Sequence, residues 1–113
     1  MATEKTQPKK DWLDDAVRHL DALCKEASEY ADEGDVLPTA KGLVAAKQVL
    51  KTFCHAHAPK IGLTVNGEFA LTWENTGDKF KAYAKPDGSV QYFRNKTLID
   101  EPTFNRYLTA VPA

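Results

Sequence analysis

The chain has 113 residues, 42% of them apolar, with two cysteines and a net charge of −1. That length supports one hydrophobic core without disulfide or metal staples, and the charge balance argues against a domain that holds nucleic acid by net charge alone. No apolar run is long enough to cross a bilayer and no apolar signal segment follows the start, so a cytoplasmic protein is expected.

Residues 1–10, with Lys5, Lys9 and Lys10, read as a flexible tail, and residues 11–113 as a single α+β domain. Asp11 is the expected N-cap of a first helix, with Asp14 and Asp15 suiting its positive end. Leu13, Ala16, Val17, Leu20, Leu23, Cys24, Ala27, Tyr30 and Ala31 then recur at three- and four-residue steps, and Gly34 is the expected stop. A second helix opens near Pro38 and Thr39, carries Leu43, Ala46, Val49, Leu50, Phe53 and Cys54, and ends before Pro59. In a hairpin of these helices Cys24 and Cys54 fall roughly 12 Å apart along the axis, too far for a disulfide. Two reduced, buried cysteines are therefore expected.

From Ile61 to Phe93 apolar and polar residues alternate with the period of a sheet buried on one face. Turn length sets the register. A two-residue turn at Asn66-Gly67 would put the apolar set of one strand on the polar side of the next, whereas a three-residue loop, Val65-Asn66-Gly67, sets Leu63 against Phe69 and Ile61 against Leu71. Pro86-Asp87-Gly88 repeats that device, setting Ala84 against Val90 and Ala82 against Tyr92. A turn at Thr76-Gly77 pairs Trp73 with Phe80 and Leu71 with Ala82. All three turns agree on one core face: Ile61, Leu63, Phe69, Leu71, Trp73, Phe80, Ala82, Ala84, Val90 and Tyr92. The prediction is a four-stranded antiparallel meander. A short third helix follows Asp100, with Pro102 in its first turn and Phe104, Tyr107, Leu108 and Val111 along one side.

The charges are unevenly spread. Residues 11–35 hold nine carboxylates against Arg18 and Lys25, a net −7, whereas residues 36–60 hold four lysines and no acid. Solvated helix faces of opposite sign explain this distribution without any function. The functional alternative is an acidic face, represented by Asp14, Asp21 and Glu29, that engages a basic protein surface. The outer sheet face is the second candidate. Lys79, Lys81, Tyr83, Lys85, Gln91 and Phe93 interleave lysines with aromatics, as on a platform for single-stranded nucleic acid. Against it stands the third helix, which needs a surface to pack on; the sequence leaves open whether it covers Tyr83 and Phe93.

Chemistry is thin. Cys54-His55-Ala56-His57 suggests a metal, with Cys54 and His57 on one helical face, but the available second pair is only His19 and Cys24. A Cys-His nucleophile needs a cysteine in a cleft, whereas the helical pattern buries both. Ser28 and Ser89 have no convergent base, and no phosphate-binding glycine loop occurs. No catalytic, cofactor-binding or metal-binding residue is assigned, and no enzyme is expected.

A helix pair, then Asn66-Gly67-Glu68 leading to Leu71 and Trp73, then Pro86 to Ser89 with Tyr92, resembles small uncharacterised bacterial, phage and plasmid proteins over residues 12–93. The pattern is turn chemistry and core, with Asn66 where aspartate is more frequent. The resemblance implies this fold and a small stoichiometric binding protein of a mobile element, such as an anti-defence inhibitor or an antitoxin. It assigns no functional residue.

Overall fold

Pro8 is the first residue of helix α1 (Pro8–Tyr30) in the computed structural model, which describes residues 8–30, 34, 36–54, 56–75 and 77–110. Proline has no N–H to leave unpaired and a φ suited to the first helical position, so the helix begins ahead of Asp11 rather than on it. Residues 8–10, expected in the tail, therefore belong to α1. Lys5, Ala31, Asp32, Glu33, Asp35, His55, Thr76 and Val111 lie outside the described residues.

The inner side of α1 buries Ala16 and Leu20, with Leu13, Val17, Leu23 and Cys24 packed beside them. Helix α2 (Ala40–Thr52) starts at Thr39, whose Oγ1 accepts from the Gly42 N–H at 3.0 Å, and it buries Ala46, Val49 and Leu50. It ends at Thr52, so Phe53 caps it and Cys54 lies beyond it. Trp12 Nε1 donates to the Ala56 carbonyl at 3.1 Å and Trp73 Nε1 to that of His57 at 2.9 Å, fastening the segment that leaves α2. The apolar spacing alone predicts a helix that runs on to Pro59; these two indole bonds hold the chain out of it.

The sheet has five strands, β1 (Lys60–Leu63), β2 (Phe69–Asn75), β3 (Asp78–Ala84), β4 (Val90–Arg94) and β5 (Thr97–Ile99), each antiparallel to the next in that order. The predicted register holds: Leu63 faces Phe69, Trp73 faces Phe80, Leu71 faces Ala82, and Ala84 faces Val90. Both three-residue loops close alike. Gly67 N–H donates to the Thr64 carbonyl and Thr64 N–H to Glu68, just as Gly88 donates to Lys85 and Lys85 to Ser89. The fifth strand is an addition. Asn95, with φ of 56°, opens a two-residue turn that folds Thr97 back onto Arg94. Asparagine tolerates that backbone region better than most residues, but Asn-Lys is a weaker turn signal than Asn-Gly.

Of the expected core face, Phe69, Leu71, Trp73, Phe80, Ala82, Ala84 and Tyr92 are buried, and Ile61, Leu63 and Val90 pack against them. Helix α3 (Glu101–Ala110) begins where the Thr103 N–H donates to Asp100 Oδ1 at 2.9 Å. Its Phe104 ring lies 5.2 Å from Phe53, 5.7 Å from Trp73 and 4.8 Å from Tyr92. All three helices thus share one face of the sheet. The sequence leaves open whether α3 covers Tyr83 and Phe93; its apolar side meets the inner face instead.

The start of α2 is wedged between the two loops. A Cβ on Gly42 would stand 2.9 Å from the Lys85 carbonyl oxygen, and one on Gly67, at φ +76°, would stand 2.8 Å from that of Leu37. Gly42→Ala and Gly67→Ala are each expected to destabilise by more than about 1 kcal/mol, since backbone faces the new carbon. Gly88→Ala, with its nearest neighbour at 3.5 Å, is expected to cost less than Gly67→Ala. Trp73→Ala is expected to cost about 3–5 kcal/mol. Urea unfolding of the four variants tests the ranking, and a parent-like Trp73→Ala would contradict the core assignment.

Candidate functional site

The solvent side of α1 presents Asp14, Asp15, Asp21, Glu26 and Glu29, all exposed. Asp14, Asp21 and Glu29 are seven and eight residues apart, within about 80° of one another around the helix. They are not equivalent. Asp21 Oδ1 lies 2.8 Å from Lys47 Nζ and ties α1 to α2, while Asp15 pairs with Arg18. Asp14 and Glu29 form no ion pair with any described residue.

The opposite side of the molecule is the outer sheet face. In register across all five strands lie Lys60, Thr72, Lys81, Phe93 and Leu98, and beside that row lie Gly62, Ala70, Tyr83 and Gln91. Tyr83 and Phe93 are diagonal neighbours, their centroids 5.6 Å apart and their planes at 81°. Both are half-buried among their neighbours, Lys79 is exposed, and Leu98 is 59% exposed. Lys85 belongs to this face but is held by Glu68, Nζ to Oε2 at 3.2 Å. Lys60 and Leu98 join the face in the folded chain. Lys60 precedes the first predicted strand, and Leu98 reaches the face only through β5.

One corner of the sheet carries a dense polar cluster. Arg94 donates from Nε at 3.2 Å and from Nη2 at 2.8 Å to Asp78 Oδ2, and its guanidinium lies 4.7 Å from the Tyr107 ring centroid. Asn95 Nδ2 donates to Asp78 Oδ1 at 3.1 Å, while Asn95 Oδ1 accepts from the Lys79 N–H. The Arg94 bond, with help from Asn95, holds the Asp78 carboxyl below the usual carboxylate range, and Asp78 in turn raises Arg94. A carboxylate so committed is a rivet between β3, β4 and α3, not a free base.

The residues considered for chemistry do not converge. Cys54 is half-buried beyond the end of α2, and His57 is exposed, its carbonyl accepting from the Trp73 indole. Both cysteines are free and half-buried, where full burial was expected, because Cys54 has left the helix and Cys24 lies at the margin of the α1 stripe. Ser89 Oγ donates to Asp87 Oδ1 at 2.6 Å within its own turn, and Ser28 Oγ to the Cys24 carbonyl. Among the described residues no three His, Cys, Asp or Glu side chains gather as a metal would require, and no helix is long and apolar enough to cross a membrane. An open cleft of 480 Å³ runs along α2, lined by Ala40, Lys41, Val44, Ala45, Gln48 and Gly88. No protein-family model, curated protein or solved structure matches the chain.

The corner cluster yields a pH test. Asp78 titrates below its ordinary value of 3.8 in the folded chain, so the unfolded chain binds that proton more readily. Its stabilising contribution is complete above the unfolded value and is lost as the pH falls through the folded one. The stability gap between the parent and Asp78→Asn is therefore expected to narrow as the pH falls below 3.8. Urea midpoints across that range read it, and a constant gap would show that the Arg94 bond is not what holds the proton off.

Proposed function

We propose that this protein is a non-enzymatic protein-binding module, a stoichiometric inhibitor of the anti-defence or antitoxin kind, that engages a basic surface of its partner through the acidic side of α1. One observation carries the reading. Asp14 and Glu29 stand exposed and without an ion pair among the described residues, on a helix whose other side is locked into the core through Ala16 and Leu20. Carboxylates on a rigid, long helix keep their spacing, so a complementary basic surface gains register as well as attraction. Those acids do little for folding where they stand. The resemblance to small mobile-element proteins supports the same reading.

Asp14→Lys with Glu29→Lys is expected to abolish capture of the partner from the native cell while leaving the melting temperature within a few degrees of the parent. Capture by the parent should weaken as salt rises, since the Debye length falls from about 10 Å at 0.1 M to about 3 Å at 1 M. Exchanging Asp21 and Lys47, which preserves their ion pair, separates the structural acid from the recognition acids. Undiminished capture by the Asp14 and Glu29 variant would remove α1 as the recognition surface.

A further inference from the structure

We propose a second, independent binding surface: the outer face of the sheet takes a short single-stranded oligonucleotide, stacking a base on the Tyr83–Phe93 pair and meeting its phosphates with Lys60, Lys79 and Lys81. The placement of α3 opens this face, because Phe104 directs that helix onto the inner side among Phe53, Trp73 and Tyr92. No described helix packs over Tyr83 or Phe93.

The arrangement fits the chemistry of a single strand. Lys81 lies directly across from Phe93, with Lys60 two strands further along the same row, so two cationic groups lead along one line up to the rings. Gln91 sits across from Tyr83 and supplies both an amide donor and an acceptor to a base edge. The two rings meet edge to face, so they offer a base one ring face and one ring edge rather than two parallel shelves. Gly62 and Ala70, next to Tyr83 in its row, leave the surface low on that side.

Charge selects the ligand and its side of the molecule. Lys85 is neutralised by Glu68, and Lys79 has Glu74 across from it, which leaves Lys60 and Lys81 as the least compensated cations of the face. The carboxylates of α1 lie on the other layer, so a polyanion is repelled there and drawn here although the whole chain carries −1. A protein partner suits this face less well. Lysine is depleted from the desolvated centres of protein interfaces, whereas lysines threaded among aromatics are the ordinary construction of a single-strand groove.

The test is titration of the purified protein into a fluorescently labelled oligo(U) of about a dozen nucleotides, read by anisotropy at low salt, with a poly-glutamate peptide and a duplex as parallel arms. Saturable binding of oligo(U) is expected, with a log–log salt slope of about −2 for the three lysines. Phe93→Leu and Tyr83→Leu, which keep apolar bulk on the sheet, are expected to weaken it about five- to 150-fold. Lys81→Gln should lower the slope by about 0.7. Unchanged unfolding midpoints verify that the variants are folded. The assignment is overturned if oligo(U) fails to saturate, or if the leucine variants bind like the parent, which would mark a generic charge effect. Poly-glutamate binding as tightly as oligo(U) would transfer the face to an acidic polypeptide, and a duplex preferred over the single strand would remove the stacking role.

Discussion

The packing of Phe104 decides how this molecule is layered. Its ring meets Phe53 from the end of α2, Trp73 from β2, Phe80 from β3 and Tyr92 from β4, all within 6.2 Å between centroids. Aromatic rings at such distances contribute beyond the apolar area they bury, and edge-to-face contacts hold their relative orientation. A short helix with this residue at its centre gains most by entering that nest, so α3 joins α1 and α2 on the inner face. The opposite face remains outside the helical layer as a consequence.

A second constraint operates at the other end of the sheet, where the chain enters α2. Thr39 accepts from Gly42 to cap the helix and donates through the same hydroxyl to the Pro86 carbonyl at 2.5 Å. Gly42 and Gly67 admit the close approach of the two hairpin loops on either side, at distances that leave no room for a side-chain carbon. Identical loop chemistry at Val65–Gly67 and Pro86–Gly88 therefore sets the strand register and also brackets the helix start. The Lys85–Glu68 ion pair joins the residues that flank these loops.

The two proposed binding surfaces follow from this layering. The acids of α1 point away from the sheet, while the lysine and aromatic rows of the outer face point away from the helices, so the charged faces lie on opposite sides. Asp21 and Lys47 consume part of the opposition between α1 and α2 internally. The proposed recognition groups are then Asp14 and Glu29 on one side and Lys60, Lys79 and Lys81 on the other. A partner protein and a nucleic-acid strand would not compete for space.

The meander from β1 to β4 was legible in the chain because period two and turn length are local: a three-residue loop ending in glycine and a two-residue turn allow one register that keeps Leu63, Phe69, Trp73, Phe80 and Tyr92 together. The two amphipathic helices and a third helix after Asp100 were legible for the same reason. The start of α1 at Pro8 follows from a local property of proline that the Asp11 cap signal obscures. The end of α2 at Thr52 and the existence of β5 each depend on a contact far away in sequence: the Trp12 and Trp73 indoles that seize the carbonyls after α2, or the Lys79 backbone that pairs with Asn95. The candidate sites divide likewise. Alternation put Lys81, Tyr83 and Phe93 on one face, but only the docking of Phe104 decided that this face stays open, since an amphipathic helix packs equally well, by its own pattern, on either side of a sheet. Composition showed where the acids of α1 lie, and tertiary contact decided that Asp21 serves the fold while Asp14 and Glu29 remain exposed, because Lys47 reaches only the first of them.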